Sequence, residues 1–193
     1  MTSGRNVEKG EYLGEAVRQF RGLKKLADKA LAQTAATDFF TALDEESNSI
    51  ALIVKHLAGN MRSRWSDFLT SDGEKEDRRR DSEFVLEPGD TRESLEQRWN
   101  EGWALTFSAI EPLAADDLQR TVTIRGEAHS VLRAINRQIA HYAYHVGQLV
   151  FLAKHFAGSR WESLSIARGK SERFNVRKGG SSSDALEAEE NRR

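Results

Sequence analysis

The chain of 193 residues contains no cysteine and only two prolines. Without cysteine, disulfides, thiolate metal ligands and a cysteine nucleophile are all excluded. Few prolines leave long helices uninterrupted. A single-sign charge excess is missing too, since the formal net charge is −1 and acids and bases are interspersed. The basic face that phosphate-backbone binding requires is therefore not supplied, and nucleic acid is not an expected partner. No run approaches the roughly 20 apolar residues of a membrane span. The longest, Val146 to Ala153, is interrupted by Gly147 and Gln148. The first six residues, Met1 to Asn6, lack the apolar centre of a signal peptide. These absences lead to the expectation of a cytoplasmic protein that engages no membrane.

What is present points to helices. Hydrophobic residues make up 38% of the chain and charged residues 31%, a lean core under a solvated surface. Helices that each bury one narrow stripe satisfy that balance, and the abundance of Ala, Leu, Glu, Arg and Lys favours them. The expected fold is all-α, a four-helix bundle with a long crossover connection and a small extended or hairpin segment near 121–126.

The first helix is read from about Gly10 to Ala32, on Tyr12, Val17, Phe20, Leu23, Leu26, Ala27, Ala30 and Leu31. The second runs from caps at Ser47 and Asn48 to about Leu69, with its stripe on Ile50, Ile53, Val54, Leu57, Met61, Trp65 and Phe68. The third opens at Asp90, read with Glu93 as a capping box, and runs to about Leu113, where Pro112 stops it. Its Trp99 and Trp103 serve either a core or an interface. The fourth spans about Ser130 to Phe156 and ends at Gly158. Between the second and third helices, Thr70 to Gly89 either rims a pocket or is a solvated crossover. Thr121 to Ile124 alternates with β-branched residues and is followed by an Arg125-Gly126 turn. Residues 1–175 are assigned to one bundle. Residues 176–193, rich in Gly, Ser and charge, are assigned to a disordered tail.

The chemistry concentrates on histidine. His141 and His145, four residues apart, lie on one face of the fourth helix about 6 Å apart along its axis, within reach of one metal ion. Three other histidines exist. His129 lies about 18 Å along the helix from His141 if that segment is helical, and His155 about 15 Å from His145, so neither shares an ion with the pair. His56 remains, on the second helix and about 120° from the centre of its stripe. If it faces the cleft between the two helices, the three form an open site suited to a divalent ion such as Zn, Ni, Fe or Mn. No Glu follows either member in the arrangement of zinc proteases, because Tyr142 stands at that position. Ordinary hydrogen-bonded helix-face histidines would also satisfy the spacing.

The bundle with His56 on helix two and His141-x-x-x-His145 on helix four resembles the DinB-like (YfiT-like) superfamily of metal-dependent proteins. The stretches Glu46 to Ala51, Lys55 to Met61, Thr121 to Glu127, His141 to Gln148 and Leu164 to Gly169 are similar to one subfamily of it. The resemblance implies a four-helix bundle, commonly a homodimer, with a divalent metal ion held at His56, His141 and His145. It further implies a small-molecule substrate, because characterised relatives include transferases and isomerases that use a low-molecular-weight thiol. No thiol-binding motif is matched here. Asn60, one turn from His56, and Gln148, near His145, are candidates for hydrogen bonds to the ligands or to a substrate. Arg78-Arg79-Arg80 is either a contact for an anionic cofactor or a solvated loop. The competing expectation is a non-catalytic dimeric, stress-related scaffold.

Overall fold

A computed structural model describes residues 2–172. The tail assigned to 176–193 lies outside the described residues. Four main helices pack together: α1 (Thr2–Ala32), α3 (Ile50–Trp65), α4 (Arg92–Ile110) and α5 (Val131–Ala157), with a single turn, α2 (Ala36–Phe39), between the first two. Helix α3 packs most extensively against α4, and α1 against α5. Two strands, β1 (Thr121–Ile124) and β2 (Glu127–Ser130), form an antiparallel hairpin in the register Thr121 to Ser130 and Ile124 to Glu127. No helix among the described residues is long and apolar enough to cross a membrane.

Three helix starts show how capping chemistry sets the boundaries. Ser49, not Ser47 or Asn48, caps α3 by accepting a hydrogen bond from the Leu52 amide. Thr91 and Ser94 form the capping box of α4, displacing the expected Asp90–Glu93 pair by one residue. Asp90 is unavailable because it is buried against Lys55 Nζ at 2.6 Å and Arg98 Nη1 at 3.1 Å. Ser130 caps α5 as its position suggests. Two ends differ from the sequence reading. Helix α1 begins at Thr2, since extending a formed helix needs no new nucleus. Helix α3 stops at Trp65, where Ser66 turns extended. Phe68 still packs on Trp65 at 4.8 Å, so the apolar stripe outlasts the helix that carries it.

The core is centred on one aromatic residue from each main helix: Phe20, Trp65, Trp103 and Tyr142. Their rings meet edge to face at 5.6–6.3 Å, an arrangement that adds about 0.5–1.5 kcal/mol per pair beyond burial. Trp65 Nε1 donates to the Tyr142 hydroxyl at 2.9 Å, satisfying both buried polar groups. Trp99 and Trp103 belong to this core and not to a surface. Gly102 allows the close α3–α4 approach, because a Cβ there would meet Met61 Cβ at 3.1 Å. Tyr142 has the largest consequence for the histidines. Locking it into the core fixes the rotation of α5, which leaves its neighbours His141 and His145 on the flank facing α3.

The long connection between α3 and α4 is pinned at two places. Asp90 takes Lys55 and Arg98, while a short 3-10 turn (Arg80–Phe84) lies against α3. The segment is therefore a rim, and it carries side chains into the site. After α5, the backbone of Glu162 exchanges two hydrogen bonds with the Gln33 side chain, and Trp161 and Leu164 pack on the core.

Candidate metal centre

His56 on α3 and His141 and His145 on α5 converge, with one potential ligand atom from each lying within 4.8 Å of the others. His56 Nε2 stands 3.3 Å from His141 Nε2. Two nitrogens bound to one ion at about 2.0–2.1 Å in a tetrahedron are about 3.3–3.4 Å apart, so this separation suits shared coordination. The other two histidines take no part. His129 is buried in β2 rather than placed on α5, and His155 is exposed.

The outer nitrogens of two rings are already engaged. His56 Nδ1–H donates to Glu83 Oε2 at 2.8 Å, and His145 Nδ1–H donates to Gln148 Oε1 at 2.8 Å. Because a carboxylate and an amide oxygen only accept, both rings carry a proton on Nδ1, which leaves Nε2 as the nitrogen for a metal ion. Such a partner on the outer nitrogen is the arrangement that orients metal-bound imidazoles. Gln148 thus meets its expected position beside His145. Asn60 is buried on the cleft wall, and among the described residues it bonds no histidine and its Oδ1 has no partner.

Burial and nearby charges keep His141 and His145 neutral. Burial pushes His141 down to about 3, with the His145, His56, Arg64 and Arg78 charges acting in the same direction. Burial also pushes His145 down to about 4, aided by His56 and Arg80 and opposed by the Gln148 hydrogen bond. Neutral imidazoles are the metal-binding form, so His141 and His145 are in the state that could hold a metal ion. For Glu83, burial opposes ionisation, but hydrogen bonds from His56 and Arg78 outweigh it and hold the carboxyl below its ordinary value.

Glu83 is the residue that sequence reading missed. It lies in the connecting segment, is buried, and also takes a two-point contact from Arg78 at 2.8 and 2.9 Å. Gly59 makes room for it, since a Cβ at that position would collide with its carboxyl group. Phe84, next in sequence, stacks on the His56 ring at 4.7 Å. Of the basic run, Arg78 is an internal strut between Glu83 and Glu74, while Arg80 is half exposed at the cleft. A glycine inside an otherwise good helix and an isolated Phe84-Val85-Leu86 were the available signals.

The imidazoles form the floor of a cleft of about 440 Å³, large enough for a small molecule. The fold and site together define a helical bundle carrying a buried three-histidine cluster that could hold a metal ion. The family model described as "Protein of unknown function (DUF1572)" matches residues 7–170, and the chain belongs to that family. No curated protein and no solved structure matches the chain.

Proposed function

We propose that this protein is a divalent-metal-dependent enzyme of the DinB-like (YfiT-like) superfamily, with His56, His141 and His145 as the ligands and a small molecule as substrate. The 3.3 Å separation of His56 Nε2 and His141 Nε2, with the outer nitrogen of His56 held by Glu83, carries this reading. When bound in such an open site, a divalent ion supplies Lewis acidity that lowers the pKa of a coordinated thiol or water. The chain contributes the rest. Glu83 and Gln148 orient rings, Phe84 covers one face of His56, and Tyr144, 4.9 Å from the His145 ring, borders the cleft mouth. In thiol S-transfer, the reaction class proposed, the thiol comes from a small molecule, since the chain has no cysteine. The test is a screen of low-molecular-weight thiols with electrophilic acceptors on metal-loaded and chelator-stripped protein. Turnover that requires both the metal and His145 supports the reading, and turnover indifferent to chelation sinks it.

A second reading, a non-catalytic dimeric scaffold, draws on Tyr144 and Phe151, which are 63% and 62% exposed on α5. Large exposed aromatics seven residues apart share a helix face and suit a partner surface. The homodimer implied by the superfamily would place that face at its interface. Sedimentation of the wild type and of Phe151→Asp checks this, with a shift toward monomer expected.

A further inference from the structure

The side chains lining the cleft include five arginines and no carboxylate. Two of the five are committed: Arg64 bonds Glu74, and Arg78 bonds Glu74 and Glu83. Of the other three, Arg137 makes no ion pair among the described residues, Arg80 reaches only Asp81 at 3.9 Å, and Arg125 donates at 3.4 Å to a Glu74 oxygen that Arg64 and Arg78 already hold. A low-dielectric cleft lined by one sign of charge concentrates small ions of the opposite sign.

Two placements aim that charge. Arg80 lies over the Phe84 ring at 5.1 Å, and that ring stacks on His56, so the guanidinium is layered above the imidazole cluster. Arg125 occupies the hairpin turn with φ of 57°, a left-handed conformation where Asn or Gly is preferred. Asp72 holds that turn by accepting from the Arg125 and Gly126 amides at 2.8 and 2.9 Å. An arginine is thus kept at the cleft in a conformation that costs about 1 kcal/mol or more.

Independent of the charges, the wall carries buried polar groups without a protein partner. Asn60 Oδ1, Gln138 Oε1 and Arg64 Nε are all of this kind, on residues that are 4%, 3% and 5% exposed. Each such group costs about 1–3 kcal/mol unless something bonds it, and an amide offers a donor or an acceptor by a half-turn of its side chain. The residues that carry these atoms line the cleft together with the three imidazoles.

We infer that the cleft takes a small molecule bearing a carboxylate or phosphoryl group, its oxyanion held by Arg80, Arg125 and Arg137 while its body reaches toward Asn60, Gln138 and the imidazoles. This names the substrate class of the site and rests on the metal reading only for where the reacting end lies. Guanidinium groups pair with both oxyanions in a two-point fashion, so one site serves either.

The test uses chelator-treated full-length protein and calorimetric titration with two probes, succinate and inorganic phosphate, at low and high salt. At least one probe is expected to bind, weakening with salt. The Arg80→Gln, Arg125→Asn, Arg137→Gln triple variant should bind it at least about tenfold more weakly. Whichever probe binds more tightly assigns the carboxylate or phosphoryl form. Equal binding by wild type and triple variant, or no binding of either probe to wild type, overturns the inference. Probe binding that depends on the arginines in a protein that never takes up metal would leave this inference standing and remove the metal reading. Metal uptake without probe binding would do the reverse. Circular dichroism of the triple variant guards against misfolding, and Arg125→Asn alone should weaken the probe while raising the melting temperature.

Discussion

The aromatic centre and the imidazole cleft are built from adjacent residues of the same helices and differ in how much polarity they leave unmet. Among the described residues the centre leaves Trp103 Nε1 unpaired, and the residues of the cleft wall carry three such atoms. Tyr142 and His141 are neighbours on α5. The Tyr142 hydroxyl is buried with its partner Trp65 in place, whereas His141 is partly buried with its Nε2 3.3 Å from that of His56. In the centre, edge-to-face rings fill the space between four helices. In the cleft, α3 and α5 leave about 440 Å³ open, and Asn60, Gln138 and Arg64 hold unbonded polar atoms on the wall. The centre stabilises one arrangement of the bundle, and that arrangement supports a site that the bundle alone leaves chemically incomplete. Local consistency is lowest at the cleft, as at candidate functional sites generally.

Breaking the centre should give the largest effect. Trp103→Ala removes a fully buried side chain that touches Phe20, Trp99 and Tyr142, and about 3–5 kcal/mol of unfolding free energy is expected to go with it in urea titrations. The cleft should respond instead to pH. In metal-free protein the unfolded chain takes up protons on these imidazoles near pH 6.5, but the folded chain resists until about pH 4 at His145 and about pH 3 at His141. With the folded values depressed, stability falls as pH drops through the window from 6.5 toward 4. The slope is up to about 1.4 kcal/mol per pH unit for each imidazole. Urea midpoints measured from pH 7 to 4.5 check this, and His145→Ala should reduce the slope. A flat profile would contradict the depressed values.

Smaller changes sharpen the contrast. Glu83→Gln keeps shape but weakens the acceptor behind His56, and metal affinity is expected to fall about 10- to 100-fold with the fold intact. Gly59→Ala, which crowds the same carboxyl group from α3, should shift affinity in the same direction. Smallest is Tyr142→Phe. Removing the hydroxyl leaves Trp65 Nε1 unpaired at a cost of about 1–2 kcal/mol, with metal affinity unchanged because the ring still fixes the rotation of α5.

The contrast also marks where sequence was legible. The centre is carried by stripes of period 3.6, so Phe20, Trp65 and Tyr142 sit where periodicity places them, and Trp103 resolves to the core. His56, His141 and His145 were legible because helical spacing put two of them together and distance removed His129 and His155. Glu83, Arg125, Arg137 and Gln138 were not legible as site residues. Glu83 lies in a charge run, and its choice of His56, 27 residues away, is a tertiary event with no local signature. Arg125 looked like an ordinary turn residue, and only its positive φ and its anchoring by Asp72 mark it out. Asp90 was drawn away from its capping role by Lys55 and Arg98, a pairing that local propensity does not contain.

The central claim is that three imidazoles on two helices hold one ion. Its most direct test is elemental analysis of full-length protein purified without a histidine tag, beside the His56→Ala, His145→Ala variant. About one divalent ion per chain in the wild type and its loss in the variant is the predicted result. Equal occupancy in the two proteins would contradict it.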